Sequence, residues 1–308
     1  MATVARARRS HAHSLERRRH IAGWLFISPA VLGLLIWTLI PVVASLGLSF
    51  TEYNIVSRPV WIGTANYVRM FTREPDFYQA LRVTIKFVII QLPAGLTIAL
   101  STALLLNSGV RFMPFFRTCF YLPAMVPVVA TSLVWSWMLN LNYGLVNQGI
   151  KALGSKPVNF FGNPNTALPT LAVMSWFAVG RTIVIYLAGL LNIPGSLYEA
   201  AEIDGAGGVR KFFAITLPML SPTIFYTVVM GLINSFQYFT QAFVLTAGGP
   251  LKSTFFYNLM IYQVGFQWLR MGYASALAWI LLILILVVTM FVLRSSAMWV
   301  YYETEMRR

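Results

Sequence analysis

The sequence is poor in every residue type that coordinates metal, relays protons or attacks substrates. Of its 308 residues, one is cysteine and three are histidine. The lone Cys119 excludes an internal disulfide and any cysteine-built metal cluster. His11, His13 and His20 sit within the first twenty positions, so no later segment has a histidine to activate a serine or hold a metal. Acids are scarce too, nine against 23 Lys and Arg, and none lies inside a long apolar run. That argues against proton-coupled transport, which usually relies on intramembrane carboxyls. No G-x-S-x-G elbow occurs. A phosphate loop, G-x-x-x-x-G-K-[ST], is missing as well. Its nearest imitation, Gly249-Pro250-Leu251-Lys252-Ser253, has leucine where glycine must precede the lysine. The chain is therefore not expected to be an enzyme or to bind a cofactor of its own. Any nucleotide hydrolysis belongs to a partner, or transport is passive.

Apolar residues are what the sequence has in excess. It is 58% hydrophobic and 10% charged, where a soluble domain is about one quarter charged. Six apolar segments, about 21–50, 80–106, 119–139, 167–191, 220–244 and 273–293, predict an all-α integral membrane protein with six transmembrane helices. The first is too long for a signal peptide, despite its basic lead-in and the cleavage-like Val43-Ala44-Ser45. Pro29 and Pro41 mark its kinks or ends, and Pro93 is tolerable inside a packed membrane bundle. Arg82 and Lys86 fall in the first turns of the second span, where long side chains reach the interface. Residues 51–79, 140–166 and 245–272 read as loops on one side, the last holding a short amphipathic helix.

The net charge of +14 follows the spans rather than a nucleic-acid face. Thirteen basic residues fall on the side of the two termini, against seven in the opposite loops. The basic tail 1–20, with six arginines, carries most of the bias and can also meet anionic lipid. Tails 1–20 and 294–308, and the segment between the fourth and fifth spans, are thus expected to be cytoplasmic.

That segment, residues 196–218, carries Glu199, Glu202, Asp204, Arg210 and Lys211, too many charges for the bilayer. Ser196 and Glu199 have capping-box spacing. A helix over about 197–204 is expected, then a bend at Gly205, Gly207 and Gly208, then a second helix over about 209–217 ending at Pro218. Its apolar residues, among them Leu197, Ile203, Val209 and Phe213, either form a docking patch or pack back on the chain's own helix ends.

Inside the spans, Arg181 stands near the middle of the fourth, where an arginine marks a substrate path or a structural pairing. On the fifth, Asn234, Ser235, Tyr238 and Gln241 form one polar stripe, which lines a lumen or joins helices.

Glu199-Ala200-Ala201, Asp204-Gly205-Ala206, Phe212, Ile215, Leu217-Pro218 and Pro222 resemble the EAA loop of ABC importer permeases. Phe116-Arg117, Leu122-Pro123, Tyr186 to Leu190, Gly248-Gly249-Pro250 and Gly272 to Ala276 are similar to the sugar-importer branch. The resemblance implies a bacterial or archaeal plasma-membrane subunit that carries a sugar or polyol by alternating access. It implies a second homologous permease, an external solute-binding protein, and ATP-binding subunits that hold ATP and Mg. Glu199, Ala200, Ala201, Asp204, Gly205, Phe212 and Pro218 would form the ATPase-coupling helix. Trp176, Arg181, Asn234, Ser235, Tyr238 and Gln241 would line the substrate path. The rival readings are a stand-alone secondary transporter or channel, and a scaffold without cargo.

Overall fold

A computed structural model describes residues 19–108 and 112–301. The arginine-rich tail ahead of Arg19, Arg111, and the tail beyond Tyr301 lie outside the described residues. The architecture is helical throughout, apart from one two-stranded ribbon.

Helix α1, Arg19–Ser49, is apolar along its length, and none of its most apolar stretch is buried. A wider π turn, Leu35–Leu39, interrupts it two residues before Pro41, whose missing N–H removes one rung of the ladder. The ribbon follows: β1, Thr51–Glu52, pairs antiparallel with β2, Val60–Trp61. Helix α2, Ala65–Thr72, then donates the Asn66 side chain to the carbonyls of Ser49 (2.9 Å) and Thr51 (3.0 Å). This small cap also receives the start of the last helix, where the Gly272 N–H bonds Tyr53 O at 3.1 Å.

The central element is α3, Pro75–Leu106, 32 residues long with Pro93 inside it. It begins about five residues earlier than the sequence suggested, because Pro75 suits the first helical position and Asp76 the first turn. Two apolar cores are built on it. One gathers Phe87, Phe256, Tyr257 and Leu277; the other gathers Ala99, Ala103, Tyr186, Leu190 and Leu220.

The expected third span is not straight. Helix α4, Met113–Tyr121, runs into a tight 3₁₀ turn, Leu122–Met125, and the chain then turns through 99° into α5, Val128–Met138. Proline explains the corner: Val126 precedes Pro127 and is forced to an extended ψ of 136°. The fourth span is also bent, by 44°, between α7, Pro164–Trp176, and α8, Gly180–Leu191. Between these pairs lies α6, Leu145–Ala152. Among the described residues, four helices are individually long and apolar enough to cross a membrane, and the two bent pairs raise the number to as many as six.

Helix α9, Gly195–Ile203, precedes α10, which extends over Gly208–Leu245 with a break at 237–239. The expectation that a separate second helix ends at Pro218 fails. A π turn, Phe212–Thr216, lies two residues before Pro218, as in α1, and absorbs the proline's missing donor so that the helix continues. Helix α11, Tyr257–Tyr262, leads into a π turn, Gln263–Gln267, and α12, Met271–Ser296, closes the fold beside α1. The segment 245–272 is not a superficial loop. Phe256, Tyr257, Leu259, Met260 and Val264 are fully buried, and the Thr84 hydroxyl accepts the Tyr257 N–H at 2.9 Å.

Candidate coupling hairpin and cargo cleft

The hairpin between α9 and α10 is rigid by construction. Gly205 takes φ +71°, a region costly for residues with a Cβ. Its N–H bonds Glu202 O at 3.0 Å, while the Ala206 N–H reaches Ala201 O at 2.8 Å. These paired bonds close α9 in a Schellman motif. The expected capping box does not form: the helix starts about two residues earlier, at Gly195 behind Pro194, and no side chain caps it.

Two ties then fasten α9 to the foot of α10. Lys211 Nζ donates to Glu202 Oε1 at 2.6 Å, and the hydroxyls of Tyr198 and Thr216 bond at 2.9 Å. The lysine's hydrogen bond, then its charge, holds the Glu202 carboxyl below the usual glutamate range. Tyr198 and Ile215 pack on the second core, so part of the apolar set does fold back. The rest stays in the open: Ile203 is 88% exposed, Val209 76% and Phe213 62%. Glu199, Ala200, Asp204 and Gly205 are exposed beside them, and Ala201, Phe212 and Pro218 are half-buried underneath. An exposed apolar patch on a braced, charged hairpin has the character of a protein contact.

The polar residues of the bundle converge elsewhere. A cavity of about 550 Å³ lies beneath the Pro127 corner and is lined by Thr131, Trp135, Arg181, Asn234 and Gln241. A second, of about 410 Å³, shares Asn234 and Gln241 and adds Gln91, Ser235 and Tyr238. A third, of about 280 Å³, shares Gln91, Arg181 and Asn234. Together they make one cleft around Asn234. The geometry thus brings together Arg181, Asn234, Ser235, Tyr238 and Gln241. Trp176 is placed apart. It borders a separate, mostly apolar cavity of about 480 Å³ beside Cys119, and its indole N–H donates to Gln91 O at 3.2 Å.

Within the cleft the Ser235 hydroxyl donates to Gln91 Oε1 at 2.7 Å, joining α10 to α3. The Tyr238 ring packs against Phe87 and Phe256, 4.3 and 4.9 Å between centroids. Its buried hydroxyl makes no hydrogen bond among the described residues, and the neighbouring Ser175 donates to Leu171 O at 2.9 Å. Sequence reasoning missed Gln91 and Thr182, which line the same cleft. The signal for Gln91 was present: it is the only amide in the run from Phe87 to Ile98.

Residues 91–299 match the family described as "Binding-protein-dependent transport system inner membrane component". The chain belongs to that family. It is 40% identical over 293 residues to the probable ABC transporter permease protein YesP of Bacillus subtilis (strain 168), covering 94% of each chain. It is 33% identical over 297 residues to the lactose transport system permease protein LacF of Rhizobium radiobacter, covering 94% of this chain and 96% of that one. Among solved structures, a chain of the bacterial alginate ABC transporter, in complex with its alginate pentasaccharide-bound periplasmic protein, superposes with a TM-score of 0.82. The identity there is 23%, and the match covers 91% of this chain and 96% of that one. The fold is that of an ABC importer permease, and several of the relatives matched in sequence are named as sugar permeases.

Proposed function

We propose that this chain is one half of the membrane channel of an ATP-driven importer for a sugar or related polyol. The hairpin at Gly195–Thr216 is the handle held by a separate ATPase, and the cleft around Asn234 is the cargo path. The observation that carries this reading is continuity. Helix α10 starts at the hairpin, at Gly208, and reaches Asn234 and Gln241 in the cleft. At 1.5 Å per residue, the 26 residues from Gly208 to Asn234 span about 39 Å. Glu202–Lys211 and Tyr198–Thr216 fix α9 to the foot of this rod, so a push on α9 moves the cleft wall.

In this reading the chain crosses the membrane six times, counting each bent pair once, with both termini and the hairpin in the cytoplasm. The bias of basic residues supports that orientation. The open side of the cleft faces a second, homologous permease. A solute-binding protein docks on the opposite surface, formed by the β-ribbon, α6 and the 245–272 segment. ATP and Mg bind the partner ATPase. The names of the relatives favour sugar cargo.

The test uses the whole complex in proteoliposomes. Glu199→Lys places a cation on the exposed face of α9. It is expected to lower ATP-dependent uptake at least tenfold while the permease pair still assembles. Wild-type uptake in that variant, or solute transport by the permease without any ATPase, overturns the proposal.

A further inference from the structure

Arg181 is placed as a charge that has no counter-charge among the described residues. It is the second residue of α8, which starts at Gly180 inside the bent pair and ends at Leu191. Ten residues of helix put it about 15 Å from that end, half the thickness of a hydrocarbon core. Its side chain borders the two cavities that meet at Asn234. Among the described residues it makes no salt bridge; the pairs formed are Arg69–Glu74, Lys211–Glu202 and Lys252–Asp76. The described acids, Glu52, Glu74, Asp76, Glu199, Glu202 and Asp204, all lie outside the apolar interior of the helices. Arg181 is exposed to the cleft, and an arginine within an apolar span that faces such a cavity usually marks a functional path.

The surroundings favour an anion. Arg181 lies in the first turn of α8, whose N–H groups point toward the bend and carry partial positive charge. The cap residue, Val179, offers no side-chain acceptor to them. The other polar groups around Arg181 are uncharged: Thr131, Asn234 and Gln241 in one cavity, Gln91 and Thr182 in the other. The unpartnered Tyr238 hydroxyl borders the adjoining cavity. One guanidinium among neutral hydroxyls and amides is complementary to a sugar bearing a carboxylate. The guanidinium takes the acid in a two-pronged hydrogen bond, and the neutral groups take the ring hydroxyls.

We infer that Arg181 is the anion subsite of the cleft and that the cargo is an acidic glycan, a short oligosaccharide carrying uronate-type carboxylates. This rests on the cleft being the cargo path, as proposed above.

The experiment measures equilibrium binding to the assembled permease–ATPase complex in nanodiscs of phosphatidylcholine, by titration calorimetry. The probes are digalacturonate and its neutral counterpart galactobiose. The wild type is expected to bind digalacturonate at least tenfold more tightly. Arg181→Gln is expected to erase that preference, and Arg181→Lys to keep part of it. Equal binding of the two probes by the wild type overturns the inference, as does an acid preference that survives Arg181→Gln. Replacing a fifth of the lipid with phosphatidylglycerol separates the two sources of anion. Suppression of digalacturonate binding by that lipid assigns the subsite to a headgroup and also overturns the inference. Galactobiose binding without acid preference leaves the cargo path standing and removes only the anion subsite. If neither sugar binds, both the subsite and the sugar path fall.

Discussion

Gly205 offers a test of the hairpin that separates backbone conformation from contact. A Cβ built at Gly205 meets nothing within 4 Å, and the same holds at Gly207 two residues on. Neither alanine substitution can clash. The two positions differ in backbone conformation: Gly205 has φ +71°, and Gly207 has φ −69° with ψ 166°, an ordinary extended geometry. A left-handed L-residue costs about 1–2 kcal/mol, which at 1.4 kcal/mol per tenfold is a factor of about 5–30 against the bent hairpin. Gly207→Ala has no such cost, and the loss of unfolded-state freedom favours it by about 0.4–1 kcal/mol. The assay is capture of the ATPase by the permease in detergent, followed by the melting temperature of the permease alone. Gly205→Ala should weaken capture, lower the melting temperature, or do both. Gly205→Asn should recover much of the loss, since asparagine tolerates that conformation better. Gly207→Ala should match the wild type. If Gly205→Ala equals the wild type in both measurements, or if Gly207→Ala is equally damaging, the bend is not what holds the hairpin in shape.

Other perturbations bear on different parts of the molecule. A Cβ at Gly180 would lie 2.6 Å from Phe120 O, well inside ordinary contact, so Gly180→Ala should cost about 1–3 kcal/mol through overpacking. Thermal unfolding checks this against Gly149→Ala, where the space is open. Ser235→Ala removes the bond to Gln91 and should cost about 0.6 kcal/mol, the mean for polar contacts between membrane helices. The Glu202 carboxyl is held below its usual value by Lys211. The ion pair therefore contributes fully above the ordinary glutamate pKa of about 4.3, and its contribution is lost as pH falls through the lower folded value. Hydrogen exchange of the hairpin amides should accelerate in acid relative to the rest of the chain, and Glu202→Gln should abolish that extra sensitivity.

The helical membrane architecture and the hairpin could be read from the sequence because each rests on local chemistry. Apolar runs define the long helices, and three acids within six positions cannot lie in lipid. The bend at Gly205 was likewise visible, as glycine takes its conformation most readily. The 99° corner was not, although Pro127, which forces it, stands in the sequence near the start of that span. Hydropathy counts apolar residues and is indifferent to the direction of the backbone between them. Pro218 misled for a related reason. A proline normally stops a helix, but a π turn two residues earlier lets α10 continue. The polar stripe on α10 was legible from its spacing, whereas the convergence of Arg181 with Gln91 and Asn234 depends on how three helices pack. Trp176 shows the limit of the same reasoning: it is a neighbour of Arg181 in sequence but opens onto a different cavity.

The π turn at Phe212–Thr216 sets the angular phase between the two ends of α10. Each residue of an α-helix advances the chain by about 100° around the axis. Removing one residue from the wide turn would convert it to an ordinary one and leave that phase nearly as it is, because the π turn already absorbs the extra residue. A one-residue deletion in the regular helix between the turn and Asn234 would instead swing α9 by about 100° relative to the cleft.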